Sequence, residues 1–338
     1  MSDIQPVAIT LADIEAAADR LADVAVRTPL VESPALNKRT GGRILIKAET
    51  LQRTGSFKFR GAYNKISSLA PNVRANGILA WSSGNHAQGV AAAARLLASA
   101  ATIVMPRDAP ATKIDNTRAL GAEVVLYDRY AESREEIGAR LAEERGLAIV
   151  RPYDDPHVIA GQGTVGLEID EQCQRIGAEA DVLLVNCSGG GLAAGCATAV
   201  TARSPATAIY TVEPEHYDDM ARSLASGECQ TNAPDAPPSI CDALMATTPG
   251  TITFPIAREL LSGGLSVTDA EVRSAVRFAF ETLKLVVEPG GAASLAAVLG
   301  GRIETRGKTV CLILSGGNIA PELFAEIITT RAATDEPG

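Results

Sequence analysis

Short apolar runs alternate along the chain with Ala-rich segments in which apolar residues recur every three or four positions. The runs are apolar at consecutive positions, which is typical of parallel strands that are covered on both faces. We predict strands at 43–49, 77–83, 101–106, 123–128, 147–152, 181–186, 208–213 and 308–314. Strands that alternate with helices predict an α/β fold, in which ligands bind at the carboxyl ends of the strands.

Ahead of the first strand, the segment 10–24 has the pattern of an amphipathic helix. Ile14, Ala17 and Leu21 recur at helical spacing, and Thr10 is a suitable N-cap. We expect this helix to be structural.

Composition and charge exclude several partners. The 338 residues are 46% hydrophobic, enough for about two domains, and the net charge of −9 with no basic block predicts no nucleic-acid partner. The six Cys residues form no CxxC pair, as expected in a reducing cytoplasm. No signal peptide and no run of 18 apolar residues is present, so we expect a soluble cytoplasmic protein with no membrane partner.

A glycine run follows the strand DVLLVN and precedes a helical segment. Gly189, Gly190 and Gly191 can bring successive backbone N–H groups together at a helix N-terminus, which is a phosphate-binding arrangement. The same loop fits G-x-G-x-x-A with Ala194, and Glu213 ends the next strand, as in a dinucleotide site. This motif alone does not distinguish between phosphate binding, NAD binding and a simple tight turn.

A lysine lies between two aromatic residues in the motif SFKFRGAYN. Lys58 is flanked by Phe57 and Phe59. An amine near apolar groups loses part of its preference for the charged form and becomes a better nucleophile. Surface lysines that extend over apolar side chains are more common, so this motif needs support from others.

Two further loops carry hydroxyl and amide groups at strand ends. SSGNHAQG presents Ser82, Ser83, Asn85 and His86 at the start of a helix, where a carboxylate would be stabilised. Helix capping would require only one or two of them. SGGN, with Ser315, follows the last strand and is by itself compatible with an ordinary turn.

The motifs SFKFRGAYN, SSGNHAQG, SGGGLAAG, EPGGA and SGGN, in this order, resemble the fold type II pyridoxal-phosphate enzymes, in particular the threonine/serine dehydratase and serine racemase group. The resemblance extends from about Thr10 to Ile328, whereas an NAD site would explain only the glycine loop and Glu213. It implies two open parallel-sheet domains with helices on both faces. A small mobile domain at 76–149 would interrupt a large domain formed by 1–75 and 150–338, and the enzyme would be a homodimer.

The resemblance also implies roles for individual residues. Lys58 would bind pyridoxal 5'-phosphate covalently and move the α-proton, Asn85 would bind the ring hydroxyl, and Ser315 the pyridine nitrogen. A neutral hydroxyl at that nitrogen makes the ring a weaker electron sink, which favours elimination over transamination. The remaining cofactor contacts implied are Phe57, Ser188, Gly189, Gly190, Gly191, Leu192 and Glu288.

For the substrate, the resemblance implies contacts from Ser82, Ser83, Asn85 and His86. Ser83 stands where serine racemases carry a hydroxyl on the cofactor face opposite the lysine, so the chain departs from the Ala of many threonine dehydratases. Arg134 aligns with a residue that reaches the distal carboxylate of a dicarboxylate ligand in serine racemase; an ordinary surface arginine is the alternative.

The segment VEPEHYDDM resembles the divalent-cation loop of this group. It would supply Glu213, the carbonyl of Tyr217 and Asp219, which are oxygen donors suited to Mg²⁺ or Mn²⁺. A solvated acidic turn is the alternative.

We therefore predict an enzyme whose partner is a small amino-acid substrate. The leading hypothesis is α,β-elimination of water from L-threonine or L-serine, giving a 2-oxo acid and ammonia. Met245 and Ala246 stand where polar residues are usual, and they favour this choice over 3-hydroxyaspartate, the closest rival. A serine or aspartate racemase is third, and the alternatives from other classes are an NAD-linked oxidoreductase and a cofactor-free ligand-binding scaffold.

Overall fold

The computed structural model describes residues 9–330, which form two sheets. Its strands are β1 Leu30–Glu32, β2 Arg43–Ala48, β3 Ile78–Trp81, β4 Ala101–Pro106, β5 Glu123–Tyr127, β6 Ala148–Ile149, β7 Val182–Asn186, β8 Ala208–Pro214, β9 Gly263–Val267 and β10 Thr309–Leu314. Its α-helices are α1 Leu11–Leu21, α2 Pro34–Thr40, α3 Lys58–Ser68, α4 Pro71–Asn76, α5 Asn85–Leu96, α6 Ala111–Ala119, α7 Arg134–Arg145, α8 Pro156–Arg175, α9 Gly191–Arg203, α10 Asp219–Ser226, α11 Thr253–Leu260, α12 Asp269–Phe278, α13 Ala293–Leu299 and α14 Pro321–Thr329. Over residues 9–330, no helix is both long and apolar enough to cross a membrane.

The larger sheet has the strand order β1-β2-β10-β7-β8-β9, and the smaller has the order β5-β4-β3-β6. Every pairing between these strands is parallel except that of β1 with β2. The predicted α/β fold with parallel sheets is therefore confirmed. The smaller sheet is built wholly from residues between 78 and 149.

Each of the eight predicted strands is present, but β1 and β9 were not predicted. The first has only three residues, and the second, GGLSV, begins with two glycines, which are rare in strands. A Cβ at Gly264 would lie 2.5 Å from the Cβ of Ala221, so close packing requires glycine here. The predicted N-cap Thr10 is confirmed, since it forms a capping box with Asp13.

Burial on both faces of the large sheet explains the continuous apolar runs. Ile44 and Ile46 belong to the core on one face, and Leu45 between them belongs to the core on the other. In β10, Leu312 and Ile313 divide between the same two cores. Successive strand residues point to opposite faces, so in a strand covered by helices on both sides most positions are buried and apolar.

Helix α3, which begins at Lys58, is anchored by a buried group of ion pairs. Arg60 is fully buried and donates to Glu49 at 2.8 Å and to Glu168 at 2.7 Å. Lys47, also fully buried, donates to Glu168 at 2.6 Å. Because each charge is paired, the group is tolerated in the interior, and it ties the start of α3 to β2 and α8.

Candidate active site

The candidate site is a cavity of about 280 Å³ at the carboxyl ends of strands from both sheets. The loops that follow β3, β7 and β10 all contribute to its wall. All the residues predicted for the cofactor and the substrate line it, namely Phe57, Lys58, Ser82, Ser83, Asn85, His86, Arg134, Ser188, Gly189, Gly190, Gly191, Leu192, Glu288 and Ser315. The structure thus brings together loops that are up to about 260 residues apart in the chain.

The Lys58 amine lies in a desolvated part of the cavity. Its Nζ donates to the Pro152 carbonyl at 2.8 Å and lies 5.2 Å from the centroid of the Phe57 ring. Burial lowers the pKa of Lys58 to about 8, although the nearby Glu288 carboxylate opposes this change. A larger fraction of the amine is therefore neutral and nucleophilic at physiological pH than for an exposed lysine.

The glycine loop excludes side chains where it meets the cavity. A Cβ at Gly189 would lie 2.3 Å from the Tyr153 ring, and one at Gly190 would lie 2.7 Å from the Met220 Cε. Gly190 also has a φ of +93° as the N-cap of α9. The backbone of this loop and the N-terminus of a 13-residue helix therefore face the cavity without side chains, an arrangement that fits a phosphate group.

Ser315 is held by a side chain that the sequence motifs did not include. The Asn186 amide donates to the Ser315 Oγ at 2.9 Å, while the Asn186 Oδ1 accepts from the Ser294 N–H at 2.7 Å. Because Ser315 accepts this hydrogen bond, its own proton is available to donate into the cavity. The signal that could have identified Asn186 is an amide at the end of the otherwise apolar strand DVLLVN.

Three polar side chains join the loops around the cavity. The Asn85 Nδ2 donates to the Glu288 Oε1 at 2.5 Å, and the Asn318 Nδ2 donates to the Asn85 Oδ1 at 2.7 Å. Glu288 is 5% exposed, and burial raises the pKa of its carboxyl to about 7. These bonds fix the amide orientation of Asn85.

In the SSGNHAQG loop, the imidazole is neutral. Burial and the Lys58 charge lower the pKa of His86 to about 3. Its Nε2 lies 2.9 Å from the Val150 carbonyl, which can only accept, so Nε2 carries the proton. The Ser82 Oγ accepts from the Gly84 N–H at 3.2 Å, and Ser83 lies on the cavity wall.

Two cationic side chains lie at the rim. Arg134 is half exposed, and its Nε donates to Glu135 at 2.7 Å. Lys113 pairs with Asp242 at 2.7 Å, joining α6 to the loop that precedes α11. Motif analysis missed Lys113 and also Tyr153, because each contacts the site only through the folding of distant segments.

The predicted cation-binding residues lie outside the cavity. Glu213 is fully buried and accepts from the N–H groups of Met220 and Ala221 at 3.0 and 2.8 Å. Asp219 accepts from Asn232 with one oxygen, and its Oδ2 is buried without a partner among the described residues. Burial raises the pKa of both carboxyls, in the case of Asp219 to about 6. Because Glu213 is buried outside the cavity, it is not placed to act as the ribose-binding acid of an NAD site there.

The described part of the chain contains no conventional multi-ligand metal centre. Within residues 9–330, no group of three or more His, Cys, Asp or Glu side chains could hold a metal ion. A cation in this loop would therefore rely on two carboxylates together with a backbone carbonyl.

The comparisons with known proteins agree with this geometry. Residues 21–316 match the family described as "Pyridoxal-phosphate dependent enzyme". The chain is 46% identical to L-threo-3-hydroxyaspartate ammonia-lyase from a Pseudomonas species (94% of this chain and 97% of that protein covered), and 41% identical to L-threonine ammonia-lyase from Thermotoga maritima (95% and 78%). The solved serine racemase of Dictyostelium discoideum is 36% identical, with a TM-score of 0.85 over 93% of this chain and 99% of that one.

These findings leave the NAD-linked oxidoreductase and the cofactor-free scaffold without support. The family match agrees instead with the observed site, in which a desolvated lysine, a glycine loop without side chains and a neutral serine surround one cavity. With its parallel sheets, this chain belongs to the fold type II pyridoxal-phosphate dependent enzymes, among the ammonia-lyases that act on small hydroxy amino acids.

Proposed function

We propose that this enzyme eliminates water from L-threonine or L-serine and releases a 2-oxo acid and ammonia. The observation that carries the proposal is the Lys58 amine, which is desolvated, has its pKa lowered to about 8 and faces a cavity that ends at the neutral Ser315 hydroxyl. When bound, pyridoxal phosphate supplies an electron sink that acidifies the α-carbon of an amino acid.

The residues of the cavity fit that cofactor. Lys58 would hold it covalently, the N–H groups of 189–192 with Ser188 would hold its phosphate, and Ser315 would donate to its pyridine nitrogen. Lys58 would then take the α-proton of the substrate. Because Ser315 cannot give up a proton as readily as an acid, negative charge at the α-carbon stays available to expel the β-hydroxyl.

The substrate α-carboxylate would bind at the start of α5. The loop that contains Ser82, Asn85 and His86 offers hydroxyl, amide and N-terminal backbone donors. The neutral imidazole of His86 adds no charge there, so recognition would depend on hydrogen bonds.

A second substrate, 3-hydroxyaspartate, is favoured by one observation. Arg134 lines the same cavity as Lys58, and a guanidinium can bind a second carboxylate in a bidentate manner. Met245 and Ala246 also line the cavity and favour a methyl group or a hydrogen at the β-carbon.

Closure of a small domain would bring these groups onto the substrate. We propose that residues 76–149 move as one unit, because they hold all four strands of the smaller sheet and carry Arg134. The ion pair of Lys113 with Asp242 spans the cavity rim and would be made or broken by such a movement. Closure would exclude water from the reacting groups.

A divalent cation would bind behind the glycine loop. The Oδ2 of Asp219 is buried without a hydrogen-bond partner among the described residues, the carboxyl of Glu213 is fully buried, and the Tyr217 carbonyl would complete the donor set. Mg²⁺ or Mn²⁺ suits three protein oxygens with several retained waters. Because Met220 in the following helix packs toward Gly190, the cation would stabilise the phosphate loop indirectly.

The decisive experiment measures keto-acid formation with L-threonine, L-serine and the isomers of 3-hydroxyaspartate. We expect activity with at least one of them, and Lys58→Ala should reduce kcat by several orders of magnitude and abolish the borohydride-sensitive visible absorbance. The exposed Lys284→Ala is the matched control and should behave as wild type. Keto-acid formation by Lys58→Ala at the wild-type rate would contradict the proposal.

A further inference from the structure

Two cysteines are in contact at the opposite end of the large sheet from the active site. Cys173 lies near the end of α8 and Cys311 lies in β10, and their Sγ atoms are 3.7 Å apart. A disulfide requires about 2.05 Å between the sulfurs, so the two atoms need to approach by only about 1.7 Å.

A second cavity borders this pair, although both side chains are buried, with Cys173 4% and Cys311 0% exposed. It has a volume of about 370 Å³, and both Cys173 and Cys311 form part of its wall. Residues 178–180, which precede β7, and residues 203–207, which precede β8, also line it. It therefore lies at the amino ends of the strands, away from the catalytic cavity, and is large enough for a small oxidant.

The other cysteines lack such a partner. Only the 173–311 pair, among the six cysteines, has its sulfur atoms within hydrogen-bond distance. Within the pair, the hydrogen bond lowers the pKa of Cys173 and raises the pKa of Cys311, so Cys173 is the better source of thiolate. The remaining thiols are Cys187, Cys196 and Cys241, which are buried, and Cys229, which is exposed.

We propose that Cys173 and Cys311 form a site of reversible oxidation to a disulfide by a peroxide. The Cys173 thiolate attacks a peroxide oxygen, the O–O bond breaks to give a sulfenic acid, and the other oxygen leaves as hydroxide, or as an alkoxide for an organic peroxide, and is protonated to water or an alcohol. The Cys311 sulfur then attacks the sulfenic sulfur as its thiol proton is lost, and the sulfenic oxygen leaves with that proton as a second water. Two thiols are oxidised by two electrons, and one peroxide is reduced.

The bond would link α8 to β10 and close a loop of 138 residues. The disulfide would increase the stability of the folded state, because closing a long loop restricts the unfolded chain. The catalytic cavity lies at the other end of the strands and would keep its geometry. We expect the melting temperature of the oxidised holoenzyme to rise by roughly 5 °C, with kcat changed less than about twofold.

The test treats the holoenzyme with hydrogen peroxide, blocks free thiols by alkylation and maps peptides by mass spectrometry. A peptide pair joined through Cys173 and Cys311, separated by dithiothreitol, is the expected result, with a melting temperature that rises on oxidation and returns on reduction. Cys173→Ala and Cys311→Ala should lose the cross-link and the temperature shift, and Cys229→Ala should keep both.

Two outcomes would overturn the proposal. The first is peroxide treatment that oxidises the exposed Cys229 but yields no linked peptide from the wild-type protein. The second is a temperature shift that persists in Cys173→Ala. The peptide map of the wild-type enzyme requires no variant, so the result stands even if an alanine variant folds poorly.

Discussion

In the proposed function, Arg134 binds the second carboxylate of a dicarboxylate substrate, and its replacement measures that contribution. A hydrogen bond between charged groups is worth about 1.5–3 kcal/mol, and the half-exposed position of Arg134 places it near the lower end. Arg134→Ala should therefore lower kcat/KM for 3-hydroxyaspartate by about 10-fold to 30-fold. The value for L-threonine should change less than about threefold, because its methyl group accepts no hydrogen bond.

The assay is continuous detection of the keto acid, with both substrates measured for wild type and variants in parallel. Arg129→Ala is the matched control, because Arg129 is also half exposed and pairs with Asp108 at 2.9 Å but does not line the cavity. Arg134→Lys keeps the charge without the planar fork and should give an intermediate loss. An equal loss for both substrates, or no loss for 3-hydroxyaspartate, would refute the role assigned to Arg134.

Three further predictions concern the same enzyme. Ser83→Ala should suppress any racemase side activity while retaining part of the dehydration, as chiral chromatography of the unreacted amino acid would show; equal loss of both activities would indicate a general positioning role. Cofactor binding by the cofactor-free enzyme, followed by visible absorbance, should accelerate with pH and level off above about 8, where Lys58 is neutral. Glu288→Gln should move that bend to lower pH, because the carboxylate raises the pKa of Lys58; an unmoved bend would argue against this coupling. Activity should fall with a chelator and return with Mg²⁺, and Glu213→Gln, but not the exposed Glu215→Gln, should weaken this response; indifference to both treatments would leave the loop without a cation.

Much of the fold and of the candidate site could be predicted from the sequence, because the features concerned depend on local chemistry. Apolar runs that separate Ala-rich helices are compatible with little except a parallel sheet covered on both faces, and the order of the motifs identified the family. The phosphate-binding role proposed for Gly189–Gly191 depends on backbone freedom and on the following helix, which are both local properties. The same holds for the N-cap at Thr10.

Tertiary structure alone decided which distant groups complete the site. Asn186 holds Ser315 across 129 positions of the chain, and Tyr153 packs against Gly189 from another element. Strand β9 was missed because close packing of Gly264 against Ala221 requires a glycine there. Residue preferences for β-strands do not include such a tertiary contact. Such contacts depend on how β7, β10 and the helices around them are arranged in three dimensions, and no spacing along the chain encodes that arrangement.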